Sequence, residues 1–89
     1  MIYVFTTYTV TDPEKHREVF AQSLPLMEKF GVKPIKAFRA LEDICEIHYL
    51  FEAPNAEAFT SLVMSPEVGK AIQESTALSL PDVQYMVAY

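Results

Sequence analysis

The chain has 89 residues, 51 % of them hydrophobic and 21 % charged, which excludes a disordered chain and fits one domain spanning residues 1–89. A formal net charge of −5 argues against nucleic acid or an anionic membrane as partner, because phosphates are neutralised by Lys and Arg. The one cysteine, Cys45, excludes an internal disulfide; with no basic leader before the first apolar stretch, the expectation is a cytoplasmic protein.

Residues 2–10 (Ile-Tyr-Val-Phe-Thr-Thr-Tyr-Thr-Val) predict a first strand with no charge on either alternating face. Thr11-Asp12-Pro13-Glu14 then starts a helix: Thr11 or Asp12 accepts free N–H groups, and Pro13 has none to leave unsatisfied. Thr11 and Glu14 also have capping-box spacing. Phe20, Leu24, Met27 and Phe30 form the expected buried stripe, and Gly31 stops the helix. Pro25 removes one backbone bond, which predicts either a bend or a split into two short helices.

Strands over 34–41 and 44–53 follow, joined at Glu42-Asp43. Pairing Leu41 with Ile44 sets Arg39 against Glu46, Ala37 against His48 and Ile35 against Leu50 on a mixed face. The opposite face carries Phe38, Ala40, Cys45, Ile47, Tyr49 and Phe51, and is the one that helices should cover. A slip of one residue exchanges the cross-strand pairs but leaves the faces of the third strand intact. Asn55 caps a helix with Phe59, Leu62 and Val63 as its apolar stripe, and Ser65-Pro66-Glu67 starts a short helix reaching about Ser75. Residues 83–89 predict a last strand, again without charge.

The order strand, helix, strand, strand, helix, strand predicts a ferredoxin-like βαββαβ α+β sandwich: a four-stranded antiparallel sheet with its helices on one side. The two uncharged outer segments call for cover on both faces. So short a chain supplies one cover, and a second copy supplies the other most simply, through the open sheet face.

These residues resemble the small dimeric α/β-barrel proteins related to antibiotic-biosynthesis monooxygenases and polyketide-cyclase-like proteins. The similarity rests on His16-Arg17-Glu18-Val19-Phe20, Leu24-Pro25-Leu26, Gly31-Val32, Ser65-Pro66-Glu67 and Pro81-Asp82-Val83. The resemblance implies two sheets meeting across a twofold axis, with a pocket between sheet and helices or inside the barrel. Such proteins include cofactor-free oxygenases, haem-degrading enzymes, isomerases and members without assigned activity. The oxygenase and haem-degrading branches use Trp, Asn and His in combination; this chain has no Trp, and its one asparagine, Asn55, is committed to a cap. No catalytic residue carries over from those branches.

Read from the residues, the chemistry concentrates on the mixed face. His48 is the candidate general base, Glu46 its orienting or proton-shuttling partner, and Arg39 the holder of a carboxylate or enolate. The alternative is an Arg39–Glu46 ion pair beside a half-buried histidine. His48 and Glu46 stand about 6.5–7 Å apart along one strand, so a direct hydrogen bond requires particular rotamers. His16, Tyr8 and Tyr85 are candidate ligand-facing groups, against the alternative that rings bury while polar tips stay wet. Cys45 reads as a small buried hydrophobe. Two histidines and one cysteine match no zinc spacing, and two glycines form no phosphate cradle, so no metal or other cofactor is expected. Three functions stay open: a homodimer binding a small, partly apolar organic molecule at the sheet face; a cofactor-independent monooxygenase, cyclase or isomerase acting on a phenolic or β-keto substrate; or an interaction module without a ligand.

Overall fold

A computed structural model describes residues 1–89. The elements in chain order are β1 (Ile2–Thr9), α1 (Pro13–Gln22), α2 (Leu24–Lys29), β2 (Lys33–Arg39), β3 (Glu46–Ala53), α3 (Ala56–Met64), α4 (Pro66–Glu74) and β4 (Asp82–Met86). The strands form one antiparallel sheet in the order β2-β3-β1-β4, with the core on one side of it, so the fold is the ferredoxin-like α+β sandwich.

Local chemistry sets the helix boundaries. The Asp12 carboxylate accepts the Lys15 N–H at 3.2 Å, so Asp12 rather than Thr11 caps α1. Thr11 and Glu14 form no capping box. Pro25 splits the first helical segment at Ser23 and sits in the first turn of α2, where a missing N–H costs nothing. The break turns Leu24 out of its expected buried stripe, to 41 % exposure. The face of α1 that packs inward is His16, Val19, Phe20 and Ser23, spaced i, i+3, i+4 and i+7. Gly31 takes φ +72°, the left-handed cap that glycine adopts without strain. Asn55 accepts the Ala58 N–H at 2.8 Å to start α3, and Ser65 accepts the Val68 N–H at 3.3 Å to start α4.

The β2–β3 pairing is one residue away from the expected register. Arg39 opposes Ile47, Phe38 opposes His48 and Ala37 opposes Tyr49. Residues 40–45 form a longer connection than a tight hairpin, because the Asp43 carboxylate turns the chain by accepting the Cys45 N–H at 2.9 Å. Between Pro34 and Lys36 the register shifts again, leaving Ile35 unpaired. The slip carries Phe38 to the open face and Arg39 to the helix side. Cys45 lies half-buried in the connection rather than in a strand. The faces of β3 are as alternation requires: Tyr49, Phe51 and Ala53 are buried under the helices, while Glu46, His48 and Leu50 face away.

β4 ends at Met86, short of the expected Tyr89, and its pairing with β1 stops at Tyr3–Met86. Val4, Tyr49, Phe51, Phe59 and Leu62 centre the core between sheet and helices. No helix is long and apolar enough to cross a membrane.

Candidate functional site

Two places gather polar side chains, one on each side of the sheet. On the helix side, α1, α3 and α4 roof a cavity of about 50 Å³, walled chiefly by Val19, Phe20, Phe51, Phe59, Leu62 and Ile72. That is room for a few water-sized groups. His16 reaches it from α1 and Tyr8 from β1. The His16 ring stands 5.1 Å from that of Tyr8 and 5.7 Å from that of Tyr49, measured between centroids. Phe20 lies flat on Tyr49 at 4.0 Å.

His16 is 3 % exposed, and neither Nδ1 nor Nε2 has a hydrogen-bond partner. Burial pushes its pKa below the ordinary histidine value. The backbone of Ser75 pulls the other way from nearby, without meeting hydrogen-bond geometry. At neutral pH the ring is therefore uncharged, with one N–H to give and one lone pair to receive, both unused. Each unmet group costs about 1–3 kcal/mol. Burial also raises the Tyr8 phenol to about 12, and raises that of Tyr49 further, with the Tyr8 charge adding to it and Arg17 opposing it. Both phenols stay protonated and can act as donors.

On the open side a polar chain crosses two strands. Thr7 Oγ1 lies 2.9 Å from His48 Nδ1, and His48 Nε2 lies 2.9 Å from Glu46 Oε2. With the ring neutral, Nε2–H donates to the Glu46 carboxylate and the Thr7 hydroxyl donates to Nδ1. Phe5 stacks on the imidazole at 5.4 Å, and Phe38 tilts against Phe5 at 6.3 Å. The pair expected from sequence, His48 with Glu46, is thus brought into direct contact. Arg39 is not: the one-residue slip sets it beside Ile47, on the far side of the strand from Glu46. The Arg39–Glu46 ion pair therefore does not form.

Of the other expected residues, Tyr8 and His16 share the cavity. Tyr85 lies outside it, its hydroxyl 2.9 Å from Thr60 Oγ1 and its ring against Phe59. Sequence reading missed Thr7. Tyr49 was visible as a member of the apolar face of β3; Thr7 required the β1–β3 register, in which it opposes His48. No group of three or more His, Cys, Asp or Glu side chains is assembled as metal ligands would be.

No family profile matches the sequence, and no curated protein is similar to it. Solved structures do match. One is a protein from Bordetella bronchiseptica proposed to be an antibiotic biosynthesis monooxygenase, with TM-score 0.82 and 13 % identity over 99 % of this chain and 96 % of that one. A second, from Caulobacter crescentus and described in the same terms, has TM-score 0.74 and 17 % identity over 99 % and 89 %. SnoaB, a cofactor-independent oxygenase from Streptomyces nogalater, has TM-score 0.74 and 15 % identity over 99 % and 92 %. The chain therefore shares its fold with these solved structures.

Proposed function

We propose that the protein binds a small, largely apolar organic molecule in the cavity around His16, and that the open face of its sheet meets a second copy. The observation that carries the ligand reading is the buried imidazole with two unmet nitrogens in an otherwise apolar chamber. A ligand with a hydroxyl or carbonyl beside an apolar body would satisfy both needs at once. The sheet-face location expected from sequence has less support, because His48 already has its hydrogen bonds within the chain. The open face instead carries Phe5, Phe38 and Leu50 with no element above them, which suits assembly with a twin. A thermal-shift screen of phenols, quinones, aromatic acids and fatty acids tests the cavity. Hits that lose their effect in His16→Leu support it; no binder tighter than millimolar overturns it and leaves an interaction module as the reading.

A second reading is favoured by the neutral state of His16. An uncharged imidazole has a lone pair free to take a proton from a phenolic or β-keto substrate. The anion so formed beside it would offset the cost that burial sets on charging the ring. Proton removal is the step common to cyclisation, isomerisation and cofactor-independent oxygenation, the last being the activity ascribed to SnoaB. His48, with Glu46 behind it, is the competing base on the open face. Turnover lost in His16→Ala but kept in His48→Ala assigns the base to the cavity; the reverse pattern assigns it to the sheet face.

A further inference from the structure

His16 and Phe20 line the cavity on one side and a second space on the other. This is an open groove of about 730 Å³ between the first half of α1 and the end of β2. Its floor is apolar, formed by Phe20, Ala37, Ile47 and Tyr49. Arg17 reaches into it from the helix and Arg39 from the strand, and neither guanidinium lies within ion-pairing distance of a carboxylate. Two acidic residues share the groove, Asp12 and Glu14. Asp12 is engaged in capping α1, and Glu14 stands in the first turn at the positive end of the helix. The groove is thus left with two unpaired planar cations above an apolar floor, and its inner wall is a buried imidazole without a partner.

We propose that groove and cavity are one site for an amphipathic carboxylate, its acid group held by Arg17 and Arg39 and its apolar body lying along the groove floor to reach His16 at the chamber wall. The inference rests on the reading of the cavity as a ligand site and adds the ligand's charge. A guanidinium matches a carboxylate with two parallel N–H donors, which a lone surface lysine does not. Arg17 and Tyr49 both line the groove, and the Arg17 charge opposes the rise that burial imposes on the Tyr49 phenol. The register slip that parts Arg39 from Glu46 is what frees it for this use.

The test is a calorimetric titration of the full chain with 3-phenylpropionate and with its neutral amide. The acid should bind about fivefold or more tightly than the amide, as expected for two partly solvated ion pairs. High salt should shrink that preference. In Arg17→Gln/Arg39→Gln, whose positions are both exposed, acid and amide should bind alike, with the amide unchanged from wild type and the unfolding midpoint preserved. His16→Leu should weaken both probes. Equal binding of acid and amide to wild type overturns the arginine site while leaving the cavity standing. A preference that survives the double substitution overturns it too, by placing the anion elsewhere. Failure of both probes to bind removes site and cavity together.

Discussion

His16 and His48 stand on opposite sides of one sheet, and the contrast between them separates what each side is for. His16 is 3 % exposed and has no hydrogen bond, while the His48 side chain is 18 % exposed and has two. A buried polar group without partners is a standing cost that folding alone does not recover. A ligand in the cavity would recover it. In the Thr7–His48–Glu46 chain both imidazole nitrogens are already bonded, so the apolar residues around it can be covered by another sheet without orphaning the ring. One side is chemically incomplete and the other is only uncovered.

The difference is sharpest in packing. Phe51 and Leu50 are neighbours on β3 that point opposite ways, Phe51 being 2 % exposed among Phe20, Tyr49 and Phe59. Phe51→Ala should cost about 3–5 kcal/mol in urea unfolding, as a large buried truncation does. Leu50→Ala, in protein dilute enough to be monomeric, should cost about 1 kcal/mol. Equal costs would show that the core is not one-sided. Leu50→Asp should instead act on assembly. It enters a twofold interface twice, so dimer dissociation should rise about thirtyfold or more, read by light scattering across a dilution series. A wild-type mass of one chain at micromolar concentration would remove the interface altogether.

The cavity side makes a prediction of opposite sign. His16→Leu removes the unmet nitrogens and keeps an apolar volume, so the empty protein should gain about 1–3 kcal/mol while losing affinity for the proposed ligand. The pH dependence follows from the lowered His16 pKa. The unfolded chain takes up a proton near pH 6.5 that the folded chain still refuses. Stability should therefore fall as pH drops from about 6.5 to the folded-state pKa, and that slope should vanish in His16→Leu. If the wild-type and variant curves run parallel through this window, the ring has a partner in solution.

Much of the fold was legible because it rests on local chemistry. Asp12-Pro13, Asn55 and Ser65-Pro66 each signal a helix start that forms where expected, and alternation alone fixed the two faces of β3. What was not legible depends on contacts distant in sequence. Asp43 lengthens the β2–β3 connection through its own side chain, and one extra residue there moved Phe38 and Arg39 to opposite sides. The candidate site was half visible for the same reason: His48 with Glu46 follows from spacing along a single strand, whereas Thr7 beneath His48 depends on how β1 meets β3. His16 was legible as a residue of the inward-facing side of α1. Its lack of any partner was not, because that depends on what α3, α4 and the sheet fail to offer it.

The smallest expected effect decides whether the open side is truly open. Glu46 is 43 % exposed at its side chain, so its bond to His48 is solvent-screened and worth at most about 1 kcal/mol. Glu46→Gln keeps an oxygen that can still accept the Nε2–H, and Thr7 still holds the other nitrogen. In dilute protein the substitution should therefore shift unfolding by less than about 1 kcal/mol. Beneath a second sheet the same carboxylate would lose its water, and the change would weigh more because a desolvated pair depends on its charge. Measuring Glu46→Gln at low and high protein concentration separates these cases. A cost that grows with concentration puts Glu46 inside the interface between two copies. One that stays constant, while light scattering reports dimers, puts the contact on some other surface and leaves the Thr7–His48–Glu46 chain facing water.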